Sequence, residues 1–348
     1  MIPLPPQPDA VPWPTSQWPT GPVPDRVDLA PLLDEICDDG GPLATTYAVV
    51  IVHRGRLVAE RYQGALEHPD RAPEPVTPTT RLLSWSMAKS MLHAVVGILV
   101  AEGMLELDAP ADVPEWSGPA DPRTEITLRH LLAMRDGLDF VEDYVDDRVS
   151  DVIGMLFGDG VSDMAHFAAD RPLVAPPGER FNYSSGTSNI VSGIVARVVG
   201  GGAPYEAFLH DRLFAPIGMH SARPEFDAAG TWIASSYVRA TAHDFARFGL
   251  LYLRDGMWDG RRILPEGWVD YARTIESVDP EDGPYGAHWW GVADDHLGTF
   301  RASGYEGQTI TLCPTLDLVV VRLGKTAAIF KPRLAAWRAS VVEAFAAA

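Results

Sequence analysis

Apolar positions fall into two patterns along this chain. Near both ends they form short β-branched runs, and through the middle they recur at helical spacing. Tyr47 to His53 is one such run. Arg54-Gly55 follows, and Arg56 to Tyr62 resumes the strand-like pattern, so a hairpin is expected. Toward the C-terminus, His296 to Ala302, Gln308 to Cys313 and Leu318 to Leu323 read as three strands, with Pro314 to Asp317 as a turn. Pro332 to Phe345 reads as a closing helix with Leu334, Trp337, Val341 and Phe345 on one face. Leu29 to Ile36 also has helical spacing. Between the ends, helices are expected at Ser86–Glu102, Leu128–Met134, Ser188–Val199, Tyr205–Leu213, Ala242–Leu253 and Pro265–Ala272.

Strands at both ends with helices between them predict an α+β fold. One antiparallel sheet is built from N- and C-terminal strands and flanked by helices, with a mainly helical lobe inserted into it. The expected division is an α/β lobe of residues 26–82 plus 286–348, a helical lobe of 83–285, and a catalytic cleft between them. Residues 1–25 are proline-rich and read as an extended arm, with Trp13 and Trp18 placed to pin it to the body. Asp279 to Gly283 reads as a surface loop.

Composition narrows the function classes. The chain has 348 residues, 46% of them apolar and 22% charged, which suits a well-cored globular protein. A net charge of −19 disfavours nucleic acid and anionic membrane as partners and leaves neutral or cationic small molecules. Two cysteines make no disulfide framework, and the scattered histidines form no ligand pair, so neither metal nor cofactor is expected. The N-terminus lacks a basic segment followed by an apolar one, and Met91 to Ala101 is too short to span a bilayer. A cytoplasmic location is the expectation.

The chemistry concentrates in three places. Ser86-Met87-Ala88-Lys89 opens an apolar helix, and residues three apart share a helical face, so Ser86 and Lys89 sit side by side. A serine at a helix start is placed to attack a carbonyl, with its own N–H available to the oxyanion. Only three of the 28 lysines and arginines are lysine (Lys89, Lys325 and Lys331). A buried lysine can lose its proton and act as a base, which arginine does not do. The second place is Tyr183-Ser184-Ser185, on a loop after Pro176-Pro177-Gly178, where a phenol next to a lysine can take the serine proton. The third is Ala302-Ser303-Gly304-Tyr305, where glycine in a strand marks either a close backbone approach or an ordinary bulge.

These pieces, in this order, resemble the serine β-lactamase and penicillin-binding-protein superfamily. The nearest branch resembles the class C β-lactamases, their related esterases and the 6-aminohexanoate-dimer hydrolases. The likeness runs from about Tyr47 to Leu323 and is supported by the segments Leu105 to Pro110, Ile126 to Leu132 and Ala242 to Gly249. The resemblance implies that Ser86 forms an acyl-enzyme, that Lys89 and Tyr183 share general-base work, and that the N–H groups of Ser86 and Tyr305 form the oxyanion hole. It also implies that Ser185, Ser303, Gly304 and Tyr144 contact substrate. Two departures stand out. Position 185 is serine where the pattern has asparagine, and position 302 is alanine where it has lysine or histidine. Arg301 is adjacent, but strand alternation turns it to the other face. Losing that cation removes a contact worth roughly 1.5–3 kcal/mol to a substrate carboxylate. The expectation is therefore an esterase or amidase acting on small neutral or amine-bearing substrates, and not a β-lactamase or DD-peptidase. An acyltransferase using the same intermediate and a non-catalytic binding or sensor module are the competing readings. The acidic run Asp136 to Asp147 is expected at the cleft rim, and Trp232 with His288-Trp289-Trp290 is a candidate acyl pocket.

Overall fold

A computed structural model of the chain describes residues 1–38, 40–43, 45–144 and 149–348. The fold is the expected α+β arrangement, and its strands run longest where the sequence is most β-branched. After a short helix α1 (Ala30–Ile36) come β1 (Thr46–His53) and β2 (Arg56–Tyr62). The inserted region carries α2 (Met87–Ala101), α3 (Leu128–Leu132), α4 (Asp151–Phe157), α5 (Met164–Ala169), α6 (Ser185–Val199), α7 (Ala203–Leu209), α8 (Ala242–Leu253) and α9 (Trp268–Arg273). The chain then returns to the sheet with β3 (Ser277–Asp279), β4 (Gly283–Tyr285), β5 (Trp290–Gly291), β6 (Phe300–Gly304), β7 (Gln308–Cys313) and β8 (Leu318–Gly324), and ends in α10 (Lys331–Ala346). Among the described residues the sheet has eight strands in the order β3-β4-β5-β6-β7-β8-β1-β2, with antiparallel pairing throughout.

The N- and C-terminal strands meet at the β1–β8 pair, where Val50 lies opposite Val321 and Val52 opposite Val319. These strands are covered on both faces, so their runs are continuously apolar and do not alternate. Val50, Val52, Ile310, Leu312, Val319 and Val321 face the helical side, whereas Val49, Ile51, Leu318 and Val320 pack under α1 and α10. The helix α2 is buried along nearly its whole length between the sheet and α6. It has no solvated face and therefore no polar stripe. Gly97 allows its close crossing with α9, since a Cβ there would lie 2.4 Å from the Trp268 indole nitrogen.

Several elements differ from the sequence expectation for local reasons. The strand β6 begins at Phe300, not His296, because Asp295 accepts from the Leu297 and Thr299 N–H groups and holds 295–299 as a turn. The helix α6 starts three residues early because the Ser184 hydroxyl caps the Thr187 N–H at 2.9 Å. The segment 279–283 is the tip of the β3–β4 hairpin, and the sheet thus takes in strands N-terminal to residue 286. The helices α4 and α5, which the hydrophobic spacing did not reveal, are one or two turns long and are opened by Ser150 and Asp163 caps. Among the described residues no helix is long and apolar enough to cross a membrane.

The proline-rich segment lies across the body as a strap. Trp13 packs on Trp258 at 5.0 Å between ring centres, and the Trp18 indole donates to the His243 carbonyl at 3.3 Å. Arg254 is the deepest anchor, with a side chain only 1% exposed. It pairs with Asp317 at 2.6 Å and donates to Gln7 at 2.9 Å and to the Pro5 carbonyl at 3.2 Å. Removing one partner of a buried pair costs about 3–5 kcal/mol. Arg254→Met is therefore expected to lower the unfolding free energy by an amount on that scale, read as a lower urea midpoint. An unchanged midpoint would show that the strap contributes nothing through this contact.

Candidate active site

The segment that carries Ser86 is built as strand, turn and helix. Leu82 and Leu83 pair with Ala240 and Arg239, and the Ser84 hydroxyl donates to the Ser236 carbonyl at 3.1 Å. The chain then turns through Trp85, a non-glycine residue at φ +45°, and enters α2 at Ser86. A left-handed residue at this point reverses the chain sharply and presents the serine at the helix start. Ser86 is 8% exposed and Lys89, one turn on, 2%.

The Lys89 ammonium has three oxygen partners: the Ser86 hydroxyl at 3.0 Å, the Ser185 hydroxyl at 3.0 Å and the Ser235 carbonyl at 2.9 Å. Three acceptors match the three N–H bonds of the group. Burial lowers its pKa from 10.5 to about 8, with the charge of Glu142 opposing the shift. Tyr183 completes the cluster. Its ring centre is 4.9 Å from the lysine nitrogen, and its phenol lies close enough to the Ser86 side chain to be affected by it. Burial pushes the phenol well above its ordinary pKa and Glu142 adds to this, while the Ser86 side chain works the other way. Trp290 at 5.4 Å and Tyr285 at 6.0 Å hold the Tyr183 ring.

Ser185 connects this cluster to a carboxylate. Its hydroxyl accepts from Lys89 and donates to Glu142 at 2.5 Å, and its N–H donates to the other Glu142 oxygen at 2.8 Å. Tyr144 donates to the same carboxylate at 2.6 Å and stacks on Tyr305 at 4.8 Å. The serine at position 185 thus bridges Lys89 to a nearby acid. Glu142 lies in the acidic rim run, but the sequence reading gave it no separate role. Its one available signal was the Glu142-x-Tyr144 spacing, which sets both side chains on one side of an extended segment. The Ser235 carbonyl has no sequence signature at all. The rest of the acidic run does not form a uniform charged rim. Asp136 is buried and accepts from Thr187 at 2.6 Å and from the Leu138 N–H at 2.8 Å, which ties this loop to α6. Val145, Asp146 and Asp147 lie outside the described residues.

The end of β6 closes against the turn that leads into Ser86. A Cβ on Gly304 would lie 2.5 Å from the Ser84 carbonyl oxygen and 3.1 Å from the Trp85 Cβ, so this glycine is a point of close approach and not an ordinary bulge. The next residue, Tyr305, sets its ring edge-on to Trp85 at 5.5 Å. Its turn is clamped from below. Gln308 donates to the Tyr305 carbonyl at 2.9 Å, and Arg322, fully buried, donates to the carbonyls of Glu306 and Gly307 at 3.0 and 3.2 Å. Ser303 is half-buried on the same strand, opposite Thr309. Ala302 is buried in the main core, while Arg301 points away from it and donates to the carbonyls of Gly291 and Asp282 at 2.6 and 2.8 Å. Trp232 and Trp289 are fully buried core residues, so they do not form an acyl pocket. His288 is bonded to Ser188 at 2.9 Å in the interior, and of this aromatic group Trp290 alone touches a site residue.

With this geometry in place, comparison with known proteins is informative. The family model described as Beta-lactamase matches residues 43–342. The 6-aminohexanoate-dimer hydrolase of Paenarthrobacter ureafaciens is 29% identical over 318 residues, covering 85% of this chain and 74% of that protein. Among solved structures, a candidate 6-aminohexanoate-dimer hydrolase from Bacillus anthracis superimposes with a TM-score of 0.75 at 23% identity, covering 97% of this chain and 89% of that one. The octameric penicillin-binding protein homologue from Pyrococcus abyssi has a TM-score of 0.69 at 21% identity, covering 90% and 77%. The two structural likenesses concern the fold. The family match spans most of the chain, which therefore belongs to the beta-lactamase family and is a serine hydrolase of that superfamily.

Proposed function

We propose that this protein is an esterase or amidase that works through an acyl-Ser86 intermediate on small neutral or amine-bearing substrates. One observation carries the reading: a buried lysine with a pKa near 8, 3.0 Å from a serine hydroxyl at a helix start and hydrogen-bonded only to neutral oxygens. Neutral Lys89, about a tenth of the population at pH 7 for such a pKa, takes the Ser86 proton as the Oγ–carbonyl bond forms. The negative charge on the former carbonyl oxygen is held by the N–H groups of Ser86 and Tyr305. Tyr183 stays a neutral phenol, because its surroundings raise its pKa. It donates its proton to the departing alcohol or amine and recovers one from the lysine. Water then attacks the acyl-enzyme, its proton passes to Lys89, and Ser86 regains a hydroxyl as the acid leaves.

The substrate class follows from what surrounds this centre. The position that would hold a substrate carboxylate is the buried Ala302, and Arg301 is committed to two backbone carbonyls. Glu142 and the Tyr144–Tyr305 stack offer an acid and two aromatic faces instead, which suits an amine better than a carboxylate. The similarity to the 6-aminohexanoate-dimer hydrolase of Paenarthrobacter ureafaciens supports the same direction.

Ser86→Ala is expected to lower ester hydrolysis on the order of 10³-fold or more with an unchanged melting curve. Normal turnover by that variant would refute the mechanism. Lys89→Arg, which keeps the charge but not the base, is expected to lose roughly 10²–10⁴-fold. A near-normal rate would remove Lys89 from the chemistry. Because Lys89 must be neutral, kcat/KM should rise with pH toward about 8. Glu142 raises the lysine pKa, so Glu142→Gln should lower it and move this acid limb to lower pH. A limb that stays in place or moves up would show that Glu142 does not act on the lysine.

A further inference from the structure

The face of the sheet turned away from Ser86 carries a cluster of cations that the hydrolytic chemistry does not use. Strand register brings its members together. Arg301 lies opposite Thr311, Thr309 lies opposite Arg322, and Thr309 and Thr311 are two apart on one strand, so all four share a face. Val320, opposite Thr311, belongs to the core under α10, which identifies that face. From α10, Arg338 brings a third guanidinium into electrostatic contact with Arg301 and Arg322.

The hydrogen bonding of this cluster is incomplete. The Nε of Arg301 and the hydroxyls of Thr309 and Thr311 are buried, and none has a partner among the described protein atoms. Arg338 makes no hydrogen bond or ion pair with the described residues, while all the contacts of Arg322 are to neutral oxygens. Two carboxylates face the group. Asp282 is already paired with the exposed Lys331 at 3.3 Å, and Glu306 sits beside Arg322. Four cations therefore meet two acids, in a protein whose net charge is −19. Partial burial first, and the neighbouring guanidiniums second, lower the pKa of Arg338, so like charge adds to the cost of holding it there. Buried like charges with unused donors are stabilised by an anion that accepts from several of them at once.

We propose that Arg301, Arg338, Thr309 and Thr311, in the field of Arg322, form a binding site for a small tetrahedral oxyanion, phosphate or sulfate, between the sheet and α10. Arg338 and Lys331 lie on its solvent side, since both are at least partly exposed while the two threonines are buried. The site is independent of the acyl-serine reading. A protein with no esterase activity would still bind the anion.

The experiment is calorimetric titration of the full chain with inorganic phosphate and, separately, with sulfate, at ionic strength matched with chloride. Thermal melting under the same conditions runs in parallel. A saturable isotherm and a raised midpoint are expected for the wild type with at least one anion, and the two titrations show which is preferred. In Arg338→Ala, affinity should fall by about tenfold or more, the scale of one charge-assisted contact. The double variant Thr309→Val/Thr311→Val keeps every charge and should also bind more weakly, while its midpoint in chloride does not fall. Absence of a saturable isotherm with either anion overturns the proposal. So does undiminished affinity in Arg338→Ala, which would place the anion elsewhere.

Discussion

A lysine with no carboxylate in hydrogen-bonding contact among the described residues is the constraint around which this site is arranged. Moving an ammonium into the interior is costly unless its protons are taken up, and Lys89 has an oxygen for each of them. A direct ion pair would have stabilised the protonated form and opposed the proposed role as a base. Neutral partners satisfy the geometry while leaving burial to bring the pKa to about 8. Glu142 acts one step away through Ser185, near enough to moderate the shift without cancelling it. The same acid, together with burial, keeps Tyr183 a phenol. Two neighbouring groups are thus pushed in opposite directions, which suits the proposed division between a base and a proton donor.

The fold brings these partners together from distant parts of the chain. Ser86 and Lys89 lie on α2, Ser185 opens α6, Ser235 precedes the short strand that pairs with Leu82 and Leu83, and Tyr305 ends β6. The helix α2 is buried on all sides, so its register cannot change without disturbing both the sheet and α6. Gly304 lets β6 come within contact of the turn before Ser86, and Gln308 and Arg322 fix the turn that follows. Arg322 therefore serves both faces of the sheet: its donors hold the turn beside Tyr305, and its charge adds to the cluster under α10.

Legibility in the sequence followed the range of the interaction. The hairpin β1–β2, the strands β7 and β8 and the helices α2, α8 and α10 were readable because β-branched runs and helical spacing are local patterns. The strands β3 to β5 were not, since each is only two or three residues long, too short to show an alternating pattern, and exists by pairing with its neighbours in the sheet. The same divide runs through the site. Ser86 and Lys89 are three apart, so their contact follows from helix geometry alone. The serine in place of asparagine at 185 read as a loss, because the acid that gives it a role lies 43 residues earlier. The aromatic group at 288–290 read as a pocket, although all three of its members are buried. Hydrophobicity alone does not distinguish core from cleft.

The most direct test of the central claim is intact-protein mass spectrometry after mixing the wild type and Ser86→Ala with a serine-reactive phosphonate, with peptide mapping of any adduct. A single adduct on the wild type, located at Ser86 and absent from the variant, is the result predicted here. An adduct at another residue, or equal labelling of both proteins, would contradict the assignment of Ser86 as the nucleophile activated by Lys89.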